Sequence, residues 1–456
     1  MSPAAGSPSG QNASGKSNTN RKPSGSSSLM KGNSTMSTIR TRRVSRRSIA
    51  ILAAAVTILG AATACAPGGS DNSSDESQDG AVTLKLWDYF GADGTAEKQL
   101  LDNLGAYMDE HPDVQIERKF IAYADLKQSL LQSAGAGSLP DIVIINGPDH
   151  QQFAELGIAA NLDEKVAEWG ELDNYAEGVI ASAKYNGSIY GLPSSTNCLA
   201  LFYNKTMLRE AGIEPPTTWK EMEAAAAKLT TPEHFGFAYS AVNNQQAVFQ
   251  WLPALWQGGG DLYDLTAPEA VVSLDYWAGM MDDGSVSKEA LNWDQAAVAA
   301  EFGQGRAAMM INGPWQLPFL ANEASDLDYG VALLPAGEEA ASVTGGENFM
   351  IMAGPNEDAA WDLLKFLQTP EIATKSNVAE GSLPIRNDID PFPGNDKIAL
   401  FTEQLQVANP RAYGASYAEI ADQIVVALQS RMTGSANSEQ ALKTAADAIV
   451  DLLPKQ

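Results

Sequence analysis

After residue 80, the chain carries short segments in which apolar and polar residues alternate, separated by longer segments with apolar residues at helical spacing. Residues 82–87 and 114–120 alternate as half-buried strands do, and residues 140–145 contain a short apolar run typical of a buried strand. Residues 94–110 and 123–134 place apolar side chains on one side of a helix. This order predicts a βαβαβ unit with a parallel sheet, helices on both faces and ligands at the carboxyl ends of the strands.

Those strand ends fall near residues 87–90 and 146–150. Further along, the patterns predict strands at residues 200–204 and 307–311, and helices at residues 218–229, 268–281, 355–367 and 438–453. The region after Gly80 has about 375 residues, which is too many for one typical domain and comfortable for two. We therefore expect an α/β protein with two lobes.

Before residue 80 the chain has the features of an exported lipoprotein. Residues 40–47 contain five arginines, residues 49–62 are apolar and small, and Cys65 closes the segment. About 14 apolar residues are short of the roughly 20 that span a bilayer, and the order basic, apolar, small is typical of a secretory signal. We expect lipidation of Cys65 and anchoring to the outer face of the cell membrane. The alternative is an ordinary signal peptide that happens to contain a cysteine.

Composition divides this leader further. Residues 1–39 are rich in Ser, Gly and Asn and predict a disordered extension, residues 40–64 the signal peptide, and residues 65–80 a flexible linker. All 56 acidic residues follow Cys65, whereas nine of the 30 Lys and Arg residues precede it. The strongly acidic remainder argues against nucleic acid as a partner.

Little in the sequence points to metal or covalent chemistry. The three histidines are far from one another and from cysteine, so a zinc site has little support, and no cofactor is expected. Cys198 lies in an apolar run and is interpreted as a small buried residue rather than a nucleophile. Acidic residues are so numerous that a pair at glycosidase-like spacing would arise by chance. An enzyme is therefore not predicted.

Aromatic residues beside polar turns suggest sugar binding. Trp87 precedes Asp88, Trp256 precedes a Gly-rich turn, and Trp315 follows Asn-Gly-Pro. Aromatic faces beside amides and carboxylates suit sugar rings, whose C–H faces stack while their hydroxyls need hydrogen-bond partners. Most tryptophans are expected in the core, but Trp315 is expected to be exposed to a ligand.

Several segments of the chain are distinctive, and the most specific is residues 302–315, FGQGRAAMMINGPW. Weaker ones are YNK at 203–205 with PPTTW at 215–219, GGEN at 345–348, residues 361–370, GSLPIR at 381–386 and the closing helix. Through these segments, which cover nearly all of the chain after the linker, the protein resembles family 1 extracellular solute-binding proteins. These are the carbohydrate-binding components of ABC importers and are distantly related to maltose-binding protein.

The resemblance implies a two-lobed periplasmic-binding-protein-like clamp with three interlobe crossings and a ligand cleft at the hinge. The crossings are expected near residues 195–197, 347–349 and 391–396. The first lobe would then comprise residues 81–196 and 349–391. The second lobe would comprise residues 197–348 and 392–456.

The resemblance also implies a set of ligand-binding residues. Trp315 matches an aromatic on which a sugar stacks in the second lobe, and Tyr413 or Tyr417 is expected to add a second platform. The first lobe and hinge are expected to contribute Asp88, Tyr89, Asp149 and Asn197. Trp256, Glu347 and Arg386 are also expected to face the cleft. A distant relative has a carboxylate at the position of Asn197.

The expected function is therefore capture of a mono- or oligosaccharide by clamp closure and delivery to a membrane permease by a monomeric, lipid-anchored protein. Two alternatives remain open from the sequence. The same fold binds non-sugar solutes such as polyamines or glycerol phosphate, and a secreted glycoside-active enzyme would also use aromatic and acidic residues in a cleft.

Overall fold

The structure is a computed structural model that describes residues 81–91 and 94–455. The predicted extension, signal peptide and linker, with the lipidation site Cys65, lie outside the described residues. In the described part, no helix combines the length and the apolar character needed to cross a membrane.

The strands are short and are spread over the whole described region. They are β1 (Val82–Asp88), β2 (Val114–Phe120), β3 (Ile142–Asn146), β4 (Lys184–Tyr185), β5 (Ser188–Ile189), β6 (Gly191–Pro193), β7 (Asn197–Cys198), β8 (Ala200–Asn204), β9 (Met309–Asn312), β10 (Tyr329–Ala332), β11 (Ser342–Gly345), β12 (Glu347–Ile351) and β13 (Ala408–Asn409).

Helices connect and cover these strands. They are α1 (Thr95–Glu110), α2 (Tyr123–Ala136), α3 (Gly147–Glu155), α4 (Asp163–Trp169), α5 (Glu177–Ile180), α6 (Lys205–Ala211), α7 (Trp219–Leu229), α8 (Gln245–Gln257), α9 (Pro268–Asp282), α10 (Gln295–Gly303), α11 (Gln316–Glu323), α12 (Glu357–Leu367), α13 (Pro370–Glu380), α14 (Asp396–Leu405), α15 (Tyr417–Met432) and α16 (Ser438–Ile449).

A five-stranded sheet in the order β2-β1-β3-β12-β6 forms the first lobe. Strand β1 pairs in parallel with β2 and β3, which confirms the predicted parallel βαβαβ unit. Strand β12 pairs antiparallel with β3 and β6. Both faces of β3 are buried, since Ile142 and Ile144 pack in one apolar cluster and Val143 and Ile145 in another. This burial explains why β3 is a continuous apolar run rather than an alternating one.

The second lobe contains two smaller sheets and the longest run of helices. Its strands are ordered β10-β8-β9 and β13-β11-β7. The side chains of Trp251 and Tyr239 lie in its core, where helices α8, α9, α15 and α16 contact one another. The α7 helix begins as predicted, because the Thr218 hydroxyl accepts a hydrogen bond from the backbone N–H of Glu221.

The chain passes between the lobes at three places. The first lies between β6 and β7, and the second is the single residue Gly346 between β11 and β12. The third lies between Arg386 and α14. Arg386 still pairs with Tyr175 of the first lobe through a β-bridge, whereas α14 packs on β10 and β11 of the second lobe. The expected two-lobed clamp is therefore confirmed.

Gly346 fixes the second crossing through its backbone. Its φ of 134° is in the region that favours glycine, and a Cβ there would lie 2.3 Å from the carbonyl oxygen of Ser195. Glu347 and Asn348 already pair with β3 in the five-stranded sheet. The crossing thus lies two residues earlier than the expected boundary before residue 349.

Candidate ligand-binding cleft

A cleft of about 670 Å³ lies where the two lobes meet. The first lobe contributes Tyr89 and Phe90 after β1 and Asn146 at the end of β3. The second lobe contributes the start of α11 and the loop that contains Arg411. The expectation that the carboxyl ends of β1 and β3 border a ligand site agrees with this placement.

The inner end of the cleft is formed by residues at two of the crossings. The Tyr89 hydroxyl donates to Glu347 Oε1 over 2.9 Å, and the Ser195 hydroxyl donates to Glu347 Oε2. Asn197 lines the same space and is only 7% exposed, yet its Oδ1 accepts no hydrogen bond from the described residues. We call Tyr89, Ser195, Asn197 and Glu347 the hinge cluster. Its oxygens can accept hydrogen bonds from a ligand.

Tyr89 remains a neutral hydrogen-bond donor in this cluster. Burial raises the pKa of Tyr89 well above its ordinary value, and the adjacent Glu347 carboxylate raises it further. The Tyr89 ring also contacts the Tyr123 ring edge-on, with centroids 5.2 Å apart. The phenol therefore holds Glu347 in a fixed position.

The opposite wall of the cleft is aromatic. Trp315 is half-buried and lies beside Phe249, with ring centroids 6.2 Å apart. A Cβ at Gly313 would lie only 1.8 Å from the Trp315 ring, so the glycine makes the space in which the indole lies. The Asn-Gly-Pro-Trp sequence thus positions one aromatic face at the cleft, in the manner that suits a sugar ring.

Arg411 connects the two lobes beside the cleft. Its guanidinium lies 4.7 Å from the centroid of the Phe249 ring, and Nη2 donates to Asn146 Oδ1 of the first lobe over 3.0 Å. A second contact between lobes joins Gln152 Nε2 to Glu419 Oε1 over 2.9 Å. These polar contacts link α3 and the end of β3 to the second lobe.

The charged residues among those described at the cleft are predominantly acidic. Carboxylates come from Asp294, Glu323, Glu347 and Glu380, whereas Arg411 is the basic residue among the described lining residues. Burial, followed by the charge of Glu347, raises the pKa of Glu380 well above its ordinary value. Even without Glu380, the other three carboxylates outnumber the Arg411 guanidinium, so the cleft carries an excess of negative charge.

Four of the nine residues expected to bind a ligand lie at this cleft: Tyr89, Asn197, Trp315 and Glu347. The other five are not among its lining residues. Four of these five, all except Asp149, form hydrogen bonds elsewhere in the described part of the chain.

Asp88 forms a buried ion pair instead. It is fully buried and receives hydrogen bonds from Arg118 Nε at 2.6 Å and from Arg118 Nη2 at 2.8 Å. The Phe90 backbone N–H donates to the same carboxylate over 2.8 Å. Asp88 thus supports the segment that leads into the cleft without facing it.

Trp256 and Tyr413 bond to each other inside the second lobe. Trp256 Nε1 donates to the Tyr413 hydroxyl over 3.1 Å, and that hydroxyl donates to Asp261 Oδ2 over 3.0 Å. Their exposed fractions are 7% and 4%. The expected second aromatic platform at Tyr413, and the alternative Tyr417, are therefore part of the core.

Arg386 and Asp149 are both buried and are not among the residues that line the cleft. Arg386 is 3% exposed and forms ion pairs with Glu171 and Asp388, both at 2.8 Å. Asp149 is 7% exposed in the first turn of α3, where burial raises its pKa and the charges of Lys127 and Arg411 oppose that shift. The ion pairs of Arg386 occupy its guanidinium, whereas no described residue donates a hydrogen bond to Asp149 Oδ1.

Sequence reasoning missed Tyr123, Gln246, Phe249, Glu380 and Arg411 as lining residues. The first of these begins α2 and Phe249 lies within an apolar helix, so each has the pattern of a core residue. Arg411 offered a weak signal, because it follows a proline in a polar loop. Its position at the cleft depends on its contact with Asn146 at the end of β3, which is 265 residues away in the chain and which no local pattern predicts.

Comparisons with known proteins agree with this geometry. The model of the bacterial extracellular solute-binding protein family matches residues 104–402. A binding protein of Brucella abortus is 30% identical over 363 residues, covering 76% of this chain and 88% of the relative. The maltotriose-binding protein of Pyrococcus abyssi is 28% identical over 323 residues, covering 66% of this chain and 67% of the relative.

A similar fold is also found among solved structures. An ABC transporter solute-binding protein from Thermotoga lettingae, bound with α-D-tagatose, has a TM-score of 0.76 and 26% identity. The similarity covers 82% of this chain and 100% of that chain. The family match, the relative in Brucella abortus and the two-lobed cleft all agree. This chain belongs to the family of bacterial extracellular solute-binding proteins.

Proposed function

We propose that this protein captures a mono- or oligosaccharide in the interlobe cleft and delivers it to the permease of an ABC importer. The observation that carries this proposal is the pairing, in one cleft, of the Trp315 indole with the acceptor groups of the hinge cluster. Maltotriose and tagatose are bound by relatives with the same fold, which supports a saccharide as the ligand class.

In the proposed mechanism, Trp315 covers an apolar face of the sugar ring while the hinge cluster accepts hydrogen bonds from hydroxyls. Bonds to the Glu347 carboxylate are charge-assisted and therefore stronger than those to Asn197. Groups from both lobes contact the ligand, so the ligand stabilises the closed clamp relative to an open one. The closed monomer is the form that the permease would recognise.

A phosphorylated solute fits this cleft less well. Phosphate recognition favours clustered arginines or lysines, and the described lining residues provide Arg411 against four carboxylates. The same acidic excess disfavours nucleic acid. A polyamine is compatible with the negative charge of the cleft, but it has no ring that could stack on the Trp315 indole.

We also propose that the protein leaves its ligand intact. Both oxygens of Glu347 already accept hydrogen bonds from Tyr89 and Ser195, so this carboxylate is held as a recognition group. A secreted glycosidase would instead release shorter products from an oligosaccharide. Chromatography of oligosaccharides after incubation with the protein distinguishes the two.

The family is extracellular, and the protein accordingly acts outside the cytoplasm. We propose that Cys65 carries the lipid that holds it at the outer face of the membrane. A permease receives ligand more efficiently when its binding protein stays nearby, because tethering raises the local concentration.

The test is calorimetry of the full chain with mono-, di- and trisaccharides and with spermidine. At least one sugar should bind, and Trp315→Ala should weaken that binding about tenfold, whereas Trp315→Phe should retain most of it. If no sugar binds, the saccharide proposal is wrong. If Trp315→Ala binds every sugar as tightly as the parent, the stacking role of Trp315 is wrong.

A further inference from the structure

Glu380 brings a second carboxylate toward the hinge cluster from a different element. It is the last residue of α13, lines the cleft and is half-buried. Ser382 Oγ lies 3.4 Å from its Oε2, at the long limit of a hydrogen bond. By contrast, both Glu347 oxygens have donors within the protein. Glu380 is thus the carboxylate with more capacity to accept bonds from a ligand.

Glu347 and Glu380 line the same cleft, and Glu380 is affected by the charge of Glu347. The charge of Glu347 contributes to the raised pKa of Glu380, after the larger effect of burial. Two carboxylates in a shared site oppose each other's ionisation, and a positive charge between them removes that cost. Arg411 does not supply it there, because its guanidinium lies against Phe249 and bonds to Asn146.

Asn197 adds an independent requirement for a donor. Asn197 lines the cleft and is more than nine-tenths buried, and its Oδ1 accepts no hydrogen bond from the described residues. An ammonium group carries three donors and no acceptor, so it matches a region of carboxylate and amide oxygens. A hydroxyl also donates, but it brings acceptor lone pairs and no charge to offset the two carboxylates.

We infer that the preferred ligand is a saccharide that carries a protonated amine, with the amine between Glu347 and Glu380 and a ring face on Trp315. This inference rests on the proposed function and narrows its substrate class to amino sugars. The amine distinguishes the ligand from neutral sugars, and the ring distinguishes it from a polyamine.

The experiment compares matched pairs of ligands by calorimetry on the full chain, at a pH where the amines are protonated. The pairs are glucosamine with glucose, galactosamine with galactose, and the glucosamine disaccharide with cellobiose, and spermidine is added as a ringless cation. In at least one pair the amino sugar should bind about tenfold to a hundredfold more tightly than its neutral partner. This comparison of amino and neutral sugars needs only the parent protein.

A variant assigns the effect to the carboxylate. Glu380→Gln keeps the size and removes the charge, and it should lower the affinity for the amino sugar about tenfold more than the affinity for its neutral partner. Glu371→Gln is the matched control, because Glu371 lies on the same helix, is exposed and pairs with Lys375. A preference that Glu380→Gln leaves intact would refute the assignment to Glu380.

The outcomes also separate this inference from the function on which it rests. Neutral sugars that bind as tightly as their amino partners overturn the inference and leave saccharide capture standing. Spermidine that binds while every sugar fails overturns both the inference and saccharide capture. Binding of amino sugars alone supports both.

Discussion

His150 provides a quantitative test of how the first lobe is packed beneath the cleft. The side chain lies on α3, is fully buried, and its Cε1 is so close to Gly191 that a Cβ there would lie 2.8 Å away. Burial lowers its pKa from 6.5 to about 4, and the Ala183 backbone only partly opposes this shift. The folded protein therefore holds His150 neutral under ordinary conditions.

The sign and size of the effect follow from proton linkage. The unfolded chain protonates His150 below about pH 6.5, whereas the folded chain does so only below about pH 4. Between these values unfolding takes up a proton, so the free energy of unfolding decreases as the pH falls. From pH 7 to pH 5 this one group should lower the free energy of unfolding by about 2 kcal/mol.

The assay is urea unfolding of the parent and of His150→Gln at pH 7 and at pH 5, with tryptophan fluorescence as the signal of unfolding. Groups common to both proteins cancel, so the parent should lose about 2 kcal/mol more than the variant between the two pH values. His111→Gln is the matched control, and it should lose as much as the parent. Equal losses in the parent and in His150→Gln would refute the neutral, buried histidine.

If His150→Gln fails to fold, the pKa can be measured directly. The chain contains three histidines, so NMR of protein labelled with ¹⁵N in histidine gives a tractable spectrum. A His150 resonance that titrates near pH 6.5 contradicts the structural argument.

Two further predictions concern Asp88 and Cys65. Asp88→Asn should lower the free energy of unfolding, measured in urea, by about 3 kcal/mol, because it breaks a buried ion pair with Arg118. The control Asp102→Asn alters an exposed ion pair and should change the free energy of unfolding by less than about 1 kcal/mol. An equally small effect of Asp88→Asn would contradict the structural role of Asp88. Cys65→Ala should release the protein from the membrane fraction into the medium and impair sugar uptake, while the affinity for sugar stays unchanged. The control Cys198→Ala should leave the protein in the membrane fraction. If Cys65→Ala also stays in the membrane fraction, lipidation of Cys65 is refuted.

The sequence was most informative where local pattern determines structure. The β1-α1-β2-α2-β3 order and its parallel pairing follow from alternation and helical spacing alone, and the structure confirms them. Cys198 is buried as predicted, and burial raises the pKa of its thiol to about 12. Such features depend on neighbours in the chain, which the sequence displays directly.

Side-chain direction at the cleft was predicted less well. Asp88 ends β1 and Tyr89 follows it, and because successive side chains of a strand point to opposite sides, only Tyr89 lines the cleft. Which of them faces the ligand depends on Arg118, a residue of the neighbouring strand. Arg386 and Tyr413 likewise bond to residues distant in sequence, namely Glu171 and Asp261. Local sequence patterns therefore do not predict these contacts.

The position of β12 in the first sheet determines when that lobe can be completed. Strand β6 joins the sheet only through β12, although about 150 residues separate the two strands in the chain. A chain that emerges in order from its N-terminus therefore cannot finish the first sheet until residue 351 is available. Such non-local pairing slows folding. The five-stranded sheet is therefore complete only after strands β7 to β11 of the second lobe have been made.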